Sequence, residues 1–296
     1  MQDDDNNSEI HEPTYALDEF VKQNITNPTA NLSNTDLYSA KYLGLCHDFV
    51  RSNIIVYGQT NFDQPETGVT ADQKVLLYCY LNMRQHLLAL KKLLLNSYQE
   101  KTIAPYIKTF LGSDRSKPAV FIDCGCGPLT GGLALDEFLR SIHRNIEPLS
   151  YIGIDCSNTM LKIAHKFCNQ SPMDITGWTF EFHDCWDTAA VIRQIGRSAA
   201  NVIVNFSYLF ANITTDQAEI AACFVKDIVK SCEVNSLIIL CQNSPRRLGT
   251  FEHFKETLDN GFELIVNEKR MLRYKTRRRD DSPDKKVEVC YDIYSK

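Results

Sequence analysis

Residues 121–132, FIDCGCGPLTGG, constrain the fold of this chain more than any other stretch. The lead-in Pro118, Ala119, Val120, Phe121 and Ile122 is an apolar run of strand length, and the glycines behind it admit a tight turn that side chains would block. Leu133, Leu135, Phe138, Leu139 and Ile142 then fall at roughly helical spacing, so the segment reads as strand, glycine turn, helix. Such a turn presents backbone N–H groups and a helix N-terminus to a ligand. A dinucleotide turn has the form G-x-G-x-x-G. Here Gly125-Cys126-Gly127 is followed by Pro128, Leu129 and Thr130 before Gly131 arrives, one residue late.

From about Lys117 onward the pattern alternates between strand and helix. The apolar runs predict strands at 120–123, 151–155, 179–182, 202–206 and 237–242, with helices near 130–143, 158–168, 189–197, 215–230 and 250–258. Thr214 and Gln217 open the fourth of these helices with capping-box spacing. This alternation predicts an α/β fold with a mostly parallel sheet and helices on both faces. After the fifth unit the helical pattern stops, and 262–274 and 287–294 read as two strands joined by a charged tip at 276–286. Ligands of such sheets bind beyond the carboxyl ends of the strands, which draws attention to Asp123, Asp155 and Asp184, the acids at the first three strand ends.

The acid Asp123 two places before Gly125, the G-x-G turn and the terminal hairpin together resemble the class I S-adenosylmethionine-dependent methyltransferases, over residues 117–296. Leu129 departs from the family pattern, in which a third glycine is common at that place. The resemblance implies a Rossmann-like sheet of seven strands, mostly parallel, ending in an antiparallel hairpin, and S-adenosyl-L-methionine as cofactor. It also implies a site. Asp123, Gly125, Cys126 and Gly127 would form the first loop, and Asp155 with Cys156 would hold the ribose, a carboxylate accepting two hydroxyl donors at once. Asp184 would accept from the adenine amine, Cys185 would offer its N–H to the ring, and Trp186 would pack on the base. On the fourth strand VNFSYLF lacks the N-P-P-Y form, so Asn205 and Ser207 would meet the methionine end or the acceptor and Tyr208 would shape the acceptor pocket. His183, beside Asp184, is a candidate general base. Ordinary roles compete at each position: helix capping for Asp155 and Asp184, core packing for Trp186 and Tyr208.

The first part of the chain is of another kind. Residues 1–14 read as a poorly ordered acidic tail, 15–116 as a helical extension or cap, and 117–296 as the methyltransferase domain. Helical patterns fall at 15–23, 35–52 and 103–111, with a turn-rich loop at 58–68. Thr70 and Gln73 have capping-box spacing and open the most regular helix, whose Leu76, Tyr80, Met83, Leu87, Leu90 and Leu94 share a face, with Lys74, Asn82, Gln85 and Lys92 away from it. Laid over the cofactor mouth, the extension would line an acceptor pocket with Tyr38, Tyr42, His47 and Tyr57, although plain helix packing explains the same residues.

Net charge is −5, which gives no general attraction for phosphate backbones. The basic run Arg277, Arg278, Arg279 at the hairpin tip is interrupted by Asp280, Asp281 and Asp284. An acidic chain with a helical extension over the cofactor mouth resembles methyltransferases acting on small molecules, and that resemblance implies a small-molecule acceptor, with RNA or protein as the second reading and a non-catalytic cofactor-binding sensor or partner subunit as the third. Eleven cysteines scattered through apolar segments, no apolar run of membrane-spanning length and no early signal segment predict a reduced, cytoplasmic setting with no membrane partner. With no C-x₂-C pair among the thiols, no metal is expected.

Overall fold

A computed structural model describes residues 10–31, 50–66, 69–196, 199–245, 248–258, 261–275 and 284–296. The expected helix at 35–52 and the tip of the hairpin fall largely outside the described residues. Seven strands form one sheet: β1 Ala119–Cys124, β2 Leu149–Asp155, β3 Trp178–Asp184, β4 Ala200–Ser207, β5 Val234–Asn243, β6 Glu263–Lys275 and β7 Asp284–Ser295. Their order is β3-β2-β1-β4-β5-β7-β6. The first five are parallel, and β7 runs antiparallel between β5 and β6. Every residue of β1 is buried, as expected of a central parallel strand covered on both faces.

The helices are α1 Tyr15–Val21, α2 Asn27–Asn31, α3 Ala71–Tyr78, α4 Arg84–Gln99, α5 Ala104–Leu111, α6 Thr130–Ser141, α7 Asn158–Gln170, α8 Thr188–Ile195, α9 Thr215–Ser231 and α10 Gly249–Leu258. Both capping boxes form, at Thr70 and at Thr214. Strand alternation divides the sheet between two cores. Val120, Ile122, Val204 and Ile239 face α8, α9 and α10, while Phe121, Tyr151, Ile203 and Leu240 face α6, α7 and the N-terminal extension. Leu17, Phe20, Leu87 and Leu94 of that extension lie in the same continuous core as Phe121 and Ile293.

The structure adds to the reading of the first part of the chain at two places, while residues 1–9 of the expected tail lie outside the described residues. Within the 1–14 segment, His11 pairs its N–H with Arg273 O at 2.9 Å, and Thr14 caps α1 while donating its N–H to the buried Glu137 at 3.0 Å. The helical run at 71–99 also lacks a polar outer face at two of the expected places, since Lys74 and Asn82 are buried. A π turn at Cys79–Met83 joins α3 to α4, and the wider turn shifts the phase of the apolar stripe partway along. Lys74 is enclosed by the 58–66 loop and donates to Asn61 O at 2.9 Å and Gln64 O at 3.1 Å. A lysine stem buries as an apolar chain, and its charge then needs fixed acceptors, which two backbone carbonyls supply.

Candidate functional site

The carboxyl ends of β1 to β4 make one edge, and register decides what meets there. Asp155 stands opposite Asp184, Asp123 opposite Gly153, and Asp123 opposite Asn205 on the other side. The glycine bend folds back on β2, with Gly125 N and Cys126 N both donating to Ile154 O at 2.8 and 3.0 Å. Gly127 has φ +50° and is buried, yet a Cβ placed on it would meet no atom within 4 Å. The backbone thus borders a hollow of ligand-approach type. Leu129 takes φ +70° at the N-cap of α6. Its backbone keeps the left-handed conformation a glycine adopts freely, and the strain is held by a fully buried side chain packed against Gly132.

Asp123 sits beneath this bend. It is 1% exposed and accepts from Tyr151 Oη at 2.6 Å, Asn205 Nδ2 at 2.7 Å and the Gly131 N–H. Burial raises its carboxyl above the usual range, against the lowering effect of those hydrogen bonds. A Cβ on Gly131 would lie 2.2 Å from Asp123 Oδ2, so a glycine is what lets α6 start directly on the acid. Asn205 is fully buried and shares a network with Ser207 and Gln242, whose Nε2 donates to Ser207 Oγ at 2.8 Å.

Asp155 is half-buried and braces the bend from the side, accepting from Gly127 N and Ser157 N, both at 2.9 Å. Burial pushes its carboxyl up to about 6, with the charges of Asp123 and Asp63 adding to the effect. Asp63 comes from the extension loop and crowns the start of α7: it accepts from Ser157 Oγ at 2.9 Å, Thr159 N at 2.7 Å and Asn158 N at 3.2 Å. Burial alone would raise the Asp63 carboxyl, but the hydrogen bonds from Thr159, Ser157 and Asn158 outweigh it and hold it low. An anion at a helix N-terminus is well placed. Nothing in the local sequence marked Asp63 as more than a loop residue.

At the end of β3, Asp184 and Cys185 are exposed. Cys185 is left-handed, with φ +57°, and gives its N–H to Asp155 O at 3.3 Å, so that donor is engaged within the fold. Trp186 packs toward the α9 face, its ring 5.3 Å from Phe224 and 6.5 Å from Phe206. His183 stands opposite Ile154 in register, and Ile154 belongs to the α8–α10 face. Strand alternation therefore sets His183 on the opposite face from Tyr208, whose ring joins the core of the extension side. The three residues considered for chemistry do not converge: Ser207 and Tyr208 lie together, and His183 lies across the sheet.

The extension supplies what stands over Tyr208. The Tyr208 ring stacks on His86 at 4.0 Å between centroids and 17° between planes, and Tyr78 Oη lies 3.5 Å from His86 Nδ1. Burial, with Arg51 nearby, pushes the His86 imidazole down to about 3, so it is neutral at physiological pH. Gln59 Nε2 donates to Ala211 O at 3.0 Å, and Gly58 packs on Asn212 and Tyr78. Leu209 leans over Gly125, its Cδ1 2.9 Å from where a Cβ would be. Of the extension residues expected to line an acceptor pocket, Tyr57 is exposed and beneath the Arg51 guanidinium, while Tyr38, Tyr42 and His47 lie outside the described residues.

Cys124 and Cys126 are buried with thiols pushed well above their ordinary value by burial, whereas Cys156 and Cys185 are exposed. Among the described residues no group of His, Cys, Asp and Glu is arranged to hold a metal ion, and no helix is long and apolar enough to cross a membrane.

No protein-family model and no curated protein matches the chain. Solved structures do. Magnesium protoporphyrin IX methyltransferase from Synechocystis PCC 6803 with bound SAH is 14% identical with a TM-score of 0.40, over 85% of this chain and 98% of that one. Precorrin-6y C5,15-methyltransferase from Geobacter metallireducens GS-15 is 8% identical with a TM-score of 0.36, over 66% and 89%. Aeropyrum pernix fibrillarin in complex with natively bound S-adenosyl-L-methionine is 8% identical with a TM-score of 0.34, over 67% and 76%. The fold assignment stands on the strand order and register of this chain itself.

Proposed function

We propose that this chain, built on the class I methyltransferase fold that its strand order defines, binds S-adenosylmethionine along the edge of β1 to β4 and passes the methyl group to a small-molecule acceptor. The observation that carries the reading is the meeting on one edge of a glycine bend bordering a hollow and two carboxylates, Asp155 and Asp184, in register on neighbouring strands.

The residues fit such a cofactor. Each Asp155 oxygen accepts one backbone N–H and keeps a further lone pair for a ribose hydroxyl. Asp184 is exposed one strand further along, at the spacing of adjacent strands, to accept from the adenine amine. Asp63, Asp155 and Asp123 together make the edge negative, which suits a sulfonium cation. The bound cofactor supplies an electrophilic methyl that an acceptor's lone pair displaces in line.

What falls to this chain is alignment and the exclusion of water. Asp155 would fix the ribose, the Asn205–Ser207–Gln242 network would fix the end of β4, and Tyr208 on His86 would form a flat wall of the acceptor site. A neutral His86 adds no charge that would repel a sulfonium. The small-molecule reading is supported by the extension, which reaches over the edge at Gly58, Gln59 and Asp63 and narrows the approach.

Calorimetry on reduced protein with S-adenosylhomocysteine tests the cofactor, and heat of binding is expected. Labelled-methyl transfer tests the acceptor, with label expected in a small-molecule pool. Label in RNA or in protein instead would reassign the substrate, and binding with no transfer to any pool would leave a cofactor-binding subunit.

A further inference from the structure

We infer that Cys156 and Cys185 are a redox pair, which a peroxide joins into a disulfide that ties the end of β2 to the end of β3 and blocks the ligand edge. The placement rests on the ladder. Asp155 and Asp184 are partners in register, and Cys156 and Cys185 are the next residue on each strand. The Cys185 N–H donates to Asp155 O at 3.3 Å, so the two chains stay paired up to the cysteines themselves. Paired strands run about 5 Å apart, inside the range of roughly 4.4–6.8 Å between Cα atoms that a disulfide spans.

Access separates this pair from the other thiols. Among the described residues the exposed cysteines are Cys156, Cys185 and Cys223, and Cys223 is carried by α9 rather than by a strand end. Cys124 and Cys126, at the end of β1, are buried and closed to an oxidant. Cys185 is also held at φ +57°, a conformation uncommon outside glycine, and strain of that kind concentrates at functional positions. Burial, with the charges of Asp155 and Cys185 added, pushes the Cys156 thiol up, which suits it to wait as the second thiol of the pair. The Cys185 thiolate attacks a peroxide oxygen, the O–O bond breaks, and the departing oxygen takes the thiol proton and leaves as water, with a sulfenic acid left behind. The Cys156 sulfur then attacks the Cys185 sulfur, the S–O bond breaks, and the hydroxyl leaves with the Cys156 proton as a second water. Two thiols and one peroxide thus give one disulfide and two waters, the pair losing the two electrons that the peroxide gains. An exposed disulfide is labile, so a dithiol reverses the link. The consequence for the edge rests on the S-adenosylmethionine reading above: drawing Cys156 toward Cys185 turns the bend in which Asp155 accepts from Ser157 N, and so displaces the acid set to take the ribose.

The test treats the reduced full chain with hydrogen peroxide and reads peptide mass mapping beside calorimetry with S-adenosylhomocysteine, on wild type, Cys156→Ser and Cys185→Ser. Wild type is expected to yield a linked pair of peptides carrying Cys156 and Cys185, which dithiothreitol separates, and to lose at least about tenfold in affinity, which dithiothreitol restores. In Cys156→Ser the sulfenic acid on Cys185 has no second thiol to meet, so dimedone is expected to trap it there. In Cys185→Ser the affinity after peroxide is expected to equal that variant's own affinity before it, whatever its level. Ligand bound beforehand is expected to slow the link in wild type. Oxidation that reaches Cys223 without linking the pair would overturn the inference, as would a link that leaves affinity unchanged, or a loss of affinity that persists in Cys185→Ser. A link that forms in protein with no affinity for S-adenosylhomocysteine in its reduced state keeps the thiol pair and removes the cofactor reading instead.

Discussion

Two halves of one sheet edge carry the same sequence signal and are enclosed to different degrees. At the β1–β4 half, Asp123 ends a strand and faces inward, enclosed by Tyr151, Asn205 and the start of α6. At the β2–β3 half, Asp155 and Asp184 end their strands half-buried and exposed. All three are aspartates at the carboxyl ends of consecutive parallel strands. The difference lies in what covers them. Tyr151 from β2 and Asn205 from β4 spend their polar atoms on Asp123, so that acid organises the bend from beneath, whereas the neighbours of Asp155 and Asp184 leave lone pairs for a ligand. An acid at a strand end is thus enclosed or left open according to its neighbours, and a single change should separate a scaffold from the recognition group proposed above.

The largest effect is expected from Asp123→Ala. It strands a buried tyrosine hydroxyl, a buried amide and the Gly131 N–H at once, and each unsatisfied buried donor costs about 1–3 kcal/mol. Partial relaxation and water entry should leave a net loss of about 3 kcal/mol in chemical denaturation. Unchanged stability would place Asp123 with the ligand-facing acids and dissolve the contrast. Asp155→Ala should do the reverse, lowering affinity for S-adenosylhomocysteine by about ten- to a hundredfold in calorimetry while the protein still unfolds cooperatively. A large loss of stability with unchanged affinity would make Asp155 a second scaffold.

This contrast also shows where the sequence is legible. The glycine bend and the acids at the ends of β1, β2 and β3 follow from continuous apolar runs of strand length, and the alternation of strands with helices dictates the parallel part of the sheet. The parity of the same alternation separates His183 from Asp184: one residue along a strand is the other face. Proximity in sequence suggested a shared crevice, and the pleat denies it. Leu129 is a different case. Its side chain argues against a third glycine, yet its backbone adopts the glycine conformation because packing against Gly132 holds it there.

The extension was the least legible part. Asp63 and Ser157 are 94 residues apart in sequence, and Lys74 is buried because a distant loop supplies carbonyls to its ammonium. Local periodicity carries no information about such pairings. His86, read along its helix, is an ordinary packed or surface residue, and its place over Tyr208 exists only once the helical run at 71–99 lies on the sheet.

A smaller effect sharpens the comparison through pH. The Asp155 carboxyl is raised to about 6, so in the unliganded protein it binds its proton more tightly than in the unfolded chain. The sign follows: its contribution to stability is fullest below about 4 and is lost as pH rises through about 6. On the proposed reading ligand binding runs the other way, since only the ionised carboxyl would accept both ribose hydroxyls. At pH 5 about one molecule in ten carries the ionised form, so affinity for S-adenosylhomocysteine should rise by about tenfold between pH 5 and pH 7. Calorimetry across that range reads it, and Asp155→Asn should flatten the profile. A slope that persists in the Asn variant would belong to another group.

The smallest expected effect concerns the joint between the extension and the edge. Asp63 is held by three groups at the start of α7, immediately after the Asp155 turn, and it adds negative charge beside Asp155. Asp63→Ala removes a cap-like anion from a helix start, for which about 1 kcal/mol of stability is the usual scale. It also removes a charge that opposes ionisation of Asp155, so the midpoint of the pH profile should move downward while affinity at pH 7 changes little. The two readouts separate the roles. A stability loss with an unmoved midpoint would make Asp63 a clasp alone, and a moved midpoint without a stability loss would make it an electrostatic neighbour alone. Movement of both would show that clasping the extension to the start of α7 and tuning the ionisation of Asp155 are done by one side chain.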